Sequence, residues 1–332
     1  MYRTLTAALL AALLPATAGV GVARAQDDFT PAILFDLGGK FDKSFNEAAY
    51  NGAERFKQET GIDYLEFEMT GEAQRGQALR RMAGRADVVV AVGFAFATPL
   101  EEIAAEFPDT KFTLIDAVVE APNVQSVVFK EHEGSFLVGM LAALASETGT
   151  VGFVGGMDIP LIRNFLHGYE QGVKHVTPDA EVLANMTGTT PAAWNDPTRG
   201  AELARGQFDR GADVVYAAAG GTGLGVLQAA ADTGHLAIGV DSNQNHLQPG
   251  HVLTSMVKRV DNAVYEAFTG AKGGTWEAGV RNLGLAEDGV GYAVDEHNRE
   301  LITPEMEQAA EEAKRKIVAG EIEVTDYYST QR

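Results

Sequence analysis

An aspartate at the end of a strand is the first residue whose chemistry can be anticipated. Asp241 follows the apolar run at residues 236–240, so its carboxylate should lie at the mouth of a sheet. One carboxylate can accept hydrogen bonds from two hydroxyl groups, as a sugar would offer. The alternative is an aspartate that only caps the next turn. Lys258 is either a solvated lysine at a strand end or an orienting donor that faces Asp36 or Asp241 across a cleft.

Two aromatic residues stand where a flat ligand could be held. Phe45 would lie in the first turn of a helix, where it either stacks on a ligand or starts the buried face of that helix. Trp194 lies in a loop and is either a lid over a ligand or a plug between lobes. Phe165 is better explained as core. Flat apolar faces combined with hydroxyl acceptors are what a nucleoside requires.

Motifs for catalysis, metal binding or a dinucleotide cofactor are weak or absent. Gly221, Gly223 and Gly225 follow a strand, but their spacing departs from the dinucleotide fingerprint, so we expect only a backbone loop near a sugar. The sequence has neither a Gly-x-Ser-x-Gly elbow nor a His-Glu-x-x-His motif. The alternation Glu131-His132-Glu133 is interpreted as a strand crossing between lobes. We therefore predict no metal, no cofactor and no enzyme activity.

An internal repeat indicates how these residues are positioned. Ala-Asp-Val-Val occurs at residues 86–89 and again at 212–215, and each copy leads to a helix and a second strand that ends in aspartate, at 112–116 and 236–241. Upstream, Phe45 and Gly52 are seven residues apart, as are Phe165 and Gly172. Two copies of an alternating β-α unit predict two α/β lobes with mostly parallel sheets.

Capping residues, prolines and strand ends predict where helices start and where the chain passes between the lobes. Ser44 and Glu47 form a capping box, so a helix should begin near Phe45. Three further helices should begin at a capping residue followed by proline: Thr98-Pro99, Asp196-Pro197 and Thr303-Pro304. We expect interlobe crossings near residues 127–133, 240–243 and 258–261. Ligands of open α/β sheets lie beyond the carboxyl ends of the strands, so the loops after Leu37, Val92, Val154 and Ala218 and the strand end at Asp241 should face one cleft.

The amino terminus has the layout of a secretory signal peptide. Arg3 precedes an apolar run at residues 5–14, and Ala23-Arg24-Ala25 is a small-x-small cleavage signal. We predict a signal peptide at residues 1–25, cleaved after Ala25, and a periplasmic protein. The sequence contains no cysteine, so a lipid anchor is not expected.

The composition excludes polyanionic partners. After removal of residues 1–25 the chain has 24 basic and 46 acidic residues, a net charge of −22. Such a charge argues against nucleic acid or an anionic membrane as partner. About 300 residues suffice for two cores of ordinary size.

An ordered set of motifs resembles the basic membrane protein family of ABC-transporter solute receptors. The resemblance begins at Asp36-Leu37-Gly38-Gly39 and Asp42-Lys43-Ser44-Phe45-Asn46 and covers the whole mature chain in order. The later motifs are Gly93-Phe94, Glu133-Gly134-Ser135-Phe136, Val151-Gly152-x-x-Gly155-Gly156, Trp194-Asn195-Asp196, Gly239-Val240-Asp241 and Thr254-Ser255-x-x-Lys258. The family has the type I periplasmic-binding fold, in which two Rossmann-like lobes are joined by a hinge of several crossings, and its characterised members bind purine nucleosides.

The resemblance implies roles for individual residues. Phe45 would stack on the base and Trp194 would cover its other face. Asp36 and Asn46 would hydrogen-bond polar edges of the ligand. Asp241 would accept both ribose hydroxyls, and Lys258 would bind the sugar side. The predicted site also includes Phe94, Thr98 and Gly221. At the position of Thr98 the family often has an aspartate that hydrogen-bonds the edge of the base. Thr98 is also explained as a helix cap.

The resemblance also implies lobes and partners. We expect a first lobe at residues 26–129 plus about 255–275, and a second at 130–254 plus about 276–332. The chain should act as a monomer that delivers a nucleoside to an ABC permease and its ATPase. A receptor for a sugar or another small solute, a secreted nucleoside-processing enzyme and a sensory protein of the same fold are the alternatives.

Overall fold

The fold consists of two six-stranded sheets, seen in a computed structural model that describes residues 29–331. The predicted signal peptide at residues 1–25 lies outside the described residues. The first sheet contains β1 (Pro31–Phe35), β2 (Leu65–Glu68), β3 (Val88–Val92), β4 (Lys111–Ile115), β5 (Val124–Phe129) and β11 (Gly279–Leu283). The second contains β6 (Thr150–Met157), β7 (Glu181–Gly188), β8 (Val214–Ala218), β9 (Leu236–Asp241), β10 (Val252–Lys258) and β12 (Val290–Tyr292).

The two sheets have the same spatial order of strands. The first runs β11-β5-β4-β3-β1-β2 and the second β12-β10-β9-β8-β6-β7. All pairings are parallel except the one between β12 and β10. The sequence repeat and the α/β class are therefore confirmed.

Nine α-helices in the described part of the chain accompany the sheets. They are α1 (Phe45–Thr60), α2 (Arg75–Ala83), α3 (Ala97–Ile103), α4 (Glu131–Ala145), α5 (Pro160–Val176), α6 (Pro197–Phe208), α7 (Gly223–Thr233), α8 (Val260–Gly273) and α9 (Pro304–Val318). Within residues 29–331, no helix combines the length and the apolar character needed to span a membrane.

The chain crosses between the sheets three times, at places that differ in part from the prediction. The crossings at Lys130 and Arg259 agree with it. The crossing expected at residues 240–243 is wrong, because β9 and β10 are neighbours in one sheet. The third crossing is at residues 284–289. Sheet membership thus moves two boundaries, because β10 belongs wholly to the second lobe and β11 to the first. α8 packs on α1 in the first lobe, where residues 255–275 were expected.

The three crossings are bonded to one another. The backbone N–H of Lys130 donates to the carbonyl of Leu283 at 3.0 Å, and that of Arg259 donates to the carbonyl of Gly289 at 2.9 Å. The crossings therefore form one joint, which we call the hinge: Lys130, Arg259 and residues 284–289.

The capping signals are confirmed at two of the three Pro-led helices. Asp196 Oδ1 accepts the backbone N–H of Arg199, and Thr303 Oγ1 accepts that of Met306. Thr98 is not a cap. A 3-10 turn at Phe94–Phe96 runs directly into α3, so Thr98 is inside the first helical turn and exposed.

The two seven-residue spacings mark equivalent helix packings. Gly52 of α1 faces α8, and a Cβ there would lie 2.1 Å from the carbonyl oxygen of Asp261. Gly172 of α5 faces α4, and a Cβ there would lie 2.0 Å from the carbonyl oxygen of Phe136. In each lobe a glycine thus allows close packing of two helices. The helix that starts at the cleft (α1 or α5) packs on the helix that follows a crossing (α8 or α4).

We predict that Gly52→Ala destabilises the protein. The added methyl group would overlap backbone, so α1 and α8 must move apart, at a cost of about 1–3 kcal/mol. Urea denaturation would measure it. Gly206→Ala in α6 is the control, because nothing lies within 4 Å of its added Cβ and alanine is intrinsically favoured in a helix by about 0.5–1 kcal/mol. Equal stabilities for the two variants would contradict the packing argument.

Candidate functional site

A cavity of about 650 Å³, including its open mouth, lies between the lobes at the carboxyl ends of the strands. Loops and helix starts from both lobes line it, as expected for a ligand site beyond the carboxyl ends of the strands of open α/β sheets. β6 continues to Met157, so the second lobe contributes the start of α5 rather than the loop directly after Val154. The lining residues are Asp36, Leu37, Gly38, Asp42, Phe45, Asn46, Gly93, Phe94, Asp116, Leu161, Ile162, Phe165, Trp194, Ala218, Gly220, Val240, Asp241 and Lys258.

The structure brings seven of the nine sequence-predicted site residues to this cavity. They are Asp36, Phe45, Asn46, Phe94, Trp194, Asp241 and Lys258. Thr98 is not among the lining residues, because it points to solvent from α3. Gly221 lies behind the wall, since a Cβ there would be 3.2 Å from the backbone oxygen of Trp194; Gly220 takes its place in the lining.

Lys258 occupies the inner end of the cavity, beside the hinge. Its Nζ lies 2.7 Å from each oxygen of Asp116, with hydrogen-bond geometry only to Oδ2, and 3.1 Å from Glu131 Oε1. The side chain of Lys258 is 1% exposed. The expectation that Asp36 or Asp241 would be its direct partner is therefore wrong: Asp241 is close enough to act on its charge, but Asp116 and Glu131 hold the ammonium.

Aromatic rings surround the same ammonium. Nζ lies 5.3 Å from the ring centre of Phe45, 4.9 Å from that of Phe129 and 5.5 Å from that of Phe165. Phe45 is half-buried, whereas Phe165 is both a core residue and part of the lining. The rings keep water away and add cation–π attraction.

Asp116 and Asp241 are equivalent residues of the repeat, and both have a left-handed backbone. Asp116 follows β4 with φ 69°, and Asp241 ends β9 with φ 63°. This region is uncommon for residues other than glycine, although aspartate tolerates it better than most. Each strand therefore turns sharply at its end, and both carboxylates line the cavity.

Burial dominates the electrostatics of the inner end. Burial raises the pKa of Glu131 from its ordinary 4.5 to about 7, against the opposing effect of Lys258. Burial likewise raises the pKa of Asp241, while Lys258 and Ser44 oppose the rise. For Lys258 burial works against the charge, but Asp116, Glu131 and Asp241 outweigh it and raise the pKa of the ammonium. Three carboxylates thus share one buried cation.

The start of α1 connects the lobes. Asp42, not Ser44, caps the helix, because its carboxylate accepts the backbone N–H groups of Ser44, Asn46 and Glu47 at 2.8, 3.0 and 3.1 Å. The capping-box prediction is therefore right about the helix start and wrong about the cap. The Ser44 hydroxyl instead donates to Asp241 Oδ2 across the cleft at 2.6 Å.

Two further hydrogen bonds join the second lobe to the chain that precedes α1. The Ser242 hydroxyl donates to the Ser44 carbonyl at 2.8 Å, and Gln244 Nε2 donates to the Lys43 carbonyl at 2.9 Å. The lobes are therefore in direct contact beside the cavity.

The outer end of the cavity holds a second ion pair. Arg75 Nε and Nη2 donate to Asp36 Oδ1 at 3.0 and 2.7 Å. Burial raises the pKa of Asp36, and Arg75 opposes the rise. Asn46 Nδ2 donates to the carbonyls of Gly39 and Asp36, whereas its buried Oδ1 has no hydrogen-bond partner among the described residues. An orphaned acceptor on a cavity wall is suited to a donor on a ligand.

Sequence reasoning missed several residues of the site. Asp116 could have been found as the repeat counterpart of Asp241. Glu131 was noticed, but its interpretation as part of a strand is wrong, because α4 begins there. Arg75 gave no local signal, since it lies 39 residues from Asp36.

Among the described residues, the side chains with spacing suited to a metal ion lie on the surface rather than in the cleft. In residues 29–331, one group has the spacing to hold an ion: Asp295, Glu296 and His297. The Asp295 carboxylate already accepts hydrogen bonds from the side chains of Asn243 and Asn245. The group therefore has a structural use in its loop.

We predict that Glu131 makes stability fall as the pH rises from about 5 to 7. The folded state keeps the Glu131 proton up to about pH 7, while the unfolded chain releases it near 4.5; the folded state thus binds more protons in that window, and one such group contributes up to about 1.4 kcal/mol per pH unit. Glu131→Gln should flatten the profile measured by urea denaturation at several pH values. Glu202→Gln, which removes an exposed carboxylate from α6, is the control. An unchanged slope in Glu131→Gln would contradict the assignment.

Comparison with known proteins extends over nearly all of the described chain. Residues 29–327 match the family model described as ABC transporter substrate-binding protein, PnrA-like. An uncharacterised lipoprotein of Pyrococcus horikoshii is 39% identical over 79% of this chain and 68% of its own length. Basic membrane protein D of Borreliella burgdorferi is 32% identical over 77% of this chain and 76% of its own.

A solved structure agrees with the sequence comparison. The crystal structure of an ABC-transporter solute-binding protein from Aeropyrum pernix superposes with a TM-score of 0.83 and 32% identity, over 91% of this chain and 96% of that one. The fold, the matched residues and these relatives agree with the motifs that began at Asp36. The chain belongs to the basic membrane protein family of ABC-transporter substrate-binding proteins.

Proposed function

We propose that this chain is the periplasmic receptor of an ABC importer and that it binds a nucleoside, with a purine base, between its two lobes. The observation that carries the proposal is the unlike character of the two ends of the cavity. The inner end is rich in carboxylates around Lys258, and the outer end is flanked by Phe94 and Trp194. A nucleoside has the same division, with hydroxyls at one end and a flat ring with apolar faces at the other.

The sugar would lie at the inner end. Asp241 is buried and lines the cavity, and the described residues give it one side-chain hydrogen bond, from Ser44 to Oδ2. Its remaining acceptor capacity suits the paired hydroxyls of a ribose. Lys258, oriented by Asp116 and Glu131, would donate to a sugar oxygen, and donors on the ligand would offset the repulsion among the three carboxylates.

The base would lie between the aromatic side chains. Phe45 comes from the first lobe and Trp194 from the second, and both line the cavity. Trp194 is held in place because its ring packs over Gly156, where a Cβ would lie 2.0 Å from the ring. Asn46 Oδ1, the orphaned acceptor, would take a hydrogen bond from the ligand. Stacking and this acceptor together would favour a nucleoside over a plain sugar.

Ligand binding would favour the closed arrangement. The hinge is confined to three crossings, and the turn at Ser44 bonds directly to the second lobe. A ligand that contacts both lobes binds the closed form better and shifts the population toward it. The closed protein would then dock, as a monomer, on the permease and its ATPase.

The route to the periplasm is part of the proposal. The signal-like residues 1–25 and the absence of cysteine from the sequence support export with cleavage after Ala25. The relative in Pyrococcus horikoshii is named a lipoprotein. We further propose that the bound nucleoside leaves unchanged, since Asp116 and Glu131 are committed to Lys258 and Asp42 to the cap of α1.

We predict that Asp241→Asn weakens ribonucleoside binding about ten- to hundredfold in calorimetry, because charge-assisted hydrogen bonds worth about 1–3 kcal/mol are lost. A 2′,3′-dideoxynucleoside should bind the wild type poorly and lose little on substitution. The control is Asp209→Asn, which removes the same charge from an exposed position of the second lobe.

Two outcomes would contradict the proposal. If free ribose binds the wild type as tightly as nucleosides do, the protein is a sugar receptor. If Asp241→Asn binds both nucleoside types like the wild type, the sugar does not lie at Asp241. Mass spectrometry before and after incubation would reveal any cleavage of the nucleoside.

A further inference from the structure

The ion pair between Arg75 and Asp36 lies where the cavity borders a second chamber. This outer chamber, of about 660 Å³ including the solvent at its mouth, is also bounded by both lobes. Asp36, Leu37, Phe94 and Trp194 line both spaces, whereas Arg75 lines only the outer one. We call these four shared residues the neck; Asp36 belongs to it, and Arg75 lies on its outer side. A flat ring that lies in the neck would present its far edge to the pair.

Arg75 is built into the protein rather than lying on its surface. It is 7% exposed, it starts α2, and its guanidinium lies 5.9 Å from the ring centre of Phe96. Nε and Nη2 both donate to the same oxygen, Asp36 Oδ1. The pair therefore has one fixed, side-on geometry.

This geometry leaves N–H donors on Arg75 and an acceptor on Asp36 available to a ligand. Nη2 uses one of its two N–H groups on Asp36 Oδ1, so its second N–H lies beside the carboxylate, and Nη1, on the far side of the guanidinium, makes no hydrogen bond with any described residue. Asp36 Oδ2 accepts no hydrogen bond from a described side chain, while the backbone N–H of Leu37 also donates to this carboxylate. A guanidinium only donates, and an ionised carboxylate only accepts. The pair therefore fits a ligand edge on which an acceptor stands next to a donor.

We propose that Arg75 is a specificity-determining residue and that, with Asp36, it selects 6-oxopurine nucleosides over 6-aminopurine nucleosides. This inference rests on the proposed function. In hypoxanthine and guanine the 6-oxo oxygen accepts and the adjacent N1–H donates, so Arg75 would bind the oxygen and Asp36 the N1–H. Thr98, the position at which the family often has an aspartate, lies away from the cavity here. The charged pair of Arg75 and Asp36 would recognise the edge of the base instead.

Adenosine would meet the pair with the wrong polarity. Its 6-amino group is a donor and would face the guanidinium, and its N1 is an acceptor and would face the carboxylate. A site built to bond a particular polar group rejects a ligand that lacks it, because buried polar atoms are left unpaired. We expect wild-type protein to bind inosine about 10- to 100-fold more tightly than adenosine.

The test is calorimetry of inosine, 1-methylinosine and adenosine with wild type, Arg75→Met and Arg80→Met. Arg80 is the matched control, because it lies on the same helix and pairs with Glu106 in an exposed ion pair. In Arg75→Met the preference for inosine should fall to within about threefold, mostly through weaker inosine binding. Arg80→Met should keep the wild-type preference.

The ligand series keeps the test independent of the variant. Methylation of N1 removes the donor that Asp36 would accept, so 1-methylinosine should bind wild type about as poorly as adenosine, even if Arg75→Met fails to fold. Equal affinities of wild type for the three nucleosides, or a preference that persists in folded Arg75→Met, would overturn the role of Arg75 while leaving the nucleoside receptor intact. If none of the nucleosides binds wild type, both the proposed function and this inference fail.

Discussion

The arrangement of the cleft depends on one buried ammonium group. Lys258 Nζ contacts Asp116 from the first lobe and Glu131 from the second, and a third carboxylate, Asp241, acts on its charge. Removing charges from water is costly, and a buried ion pair compensates only when its geometry and its hydrogen bonds are good. The group therefore ties together the ends of β4, β9 and β10 and the start of α4, all of which must be in place for the cavity to exist.

The same network places candidate ligand-binding groups beside the hinge. Lys258 directly precedes the crossing at Arg259, and Glu131 directly follows the crossing at Lys130. A ligand that donates hydrogen bonds to these carboxylates would offset the repulsion among them at the hinge, about which the lobes move. Binding and closure would thus be coupled through contacts at the joint. The bond between Ser44 and Asp241 adds a direct link between the lobes on the cleft side.

Much of the architecture could be predicted from the sequence because its signals are local. Apolar runs that end in aspartate marked β4 and β9, and the spacing of Phe45 and Gly52 marked a helix face that packs closely on its neighbour. Seven residues of the cavity lining followed from those strand ends and from the family motifs. The expected crossing after Asp241 failed because a strand end looks the same whether the chain next changes sheet or returns to the same one.

The remainder of the site depends on contacts between distant parts of the chain. Lys258 and Asp116 are 142 residues apart, and Arg75 and Asp36 are 39 apart, so neither pair leaves a pattern in a short window. The Ser44 cap was misassigned for a related reason. Ser44 and Asp42 can both cap a helix, and only the position of Asp241 in the other lobe shows that the serine hydroxyl is used elsewhere.

The most direct test of the role of Lys258 is the stability of Lys258→Met as a function of pH, measured by urea denaturation against Lys57→Met, which breaks an exposed ion pair with Asp63. Removal of one partner from a buried ionic group typically costs about 3–5 kcal/mol, whereas the exposed pair should matter by less than about 1 kcal/mol. We expect that large loss in Lys258→Met at pH 7–8, and we expect it to shrink as the pH falls toward 5, because protonation of Glu131 removes part of the repulsion among the carboxylates. A loss of the same size at every pH, or a Lys258→Met protein as stable at pH 8 as Lys57→Met, would contradict the account.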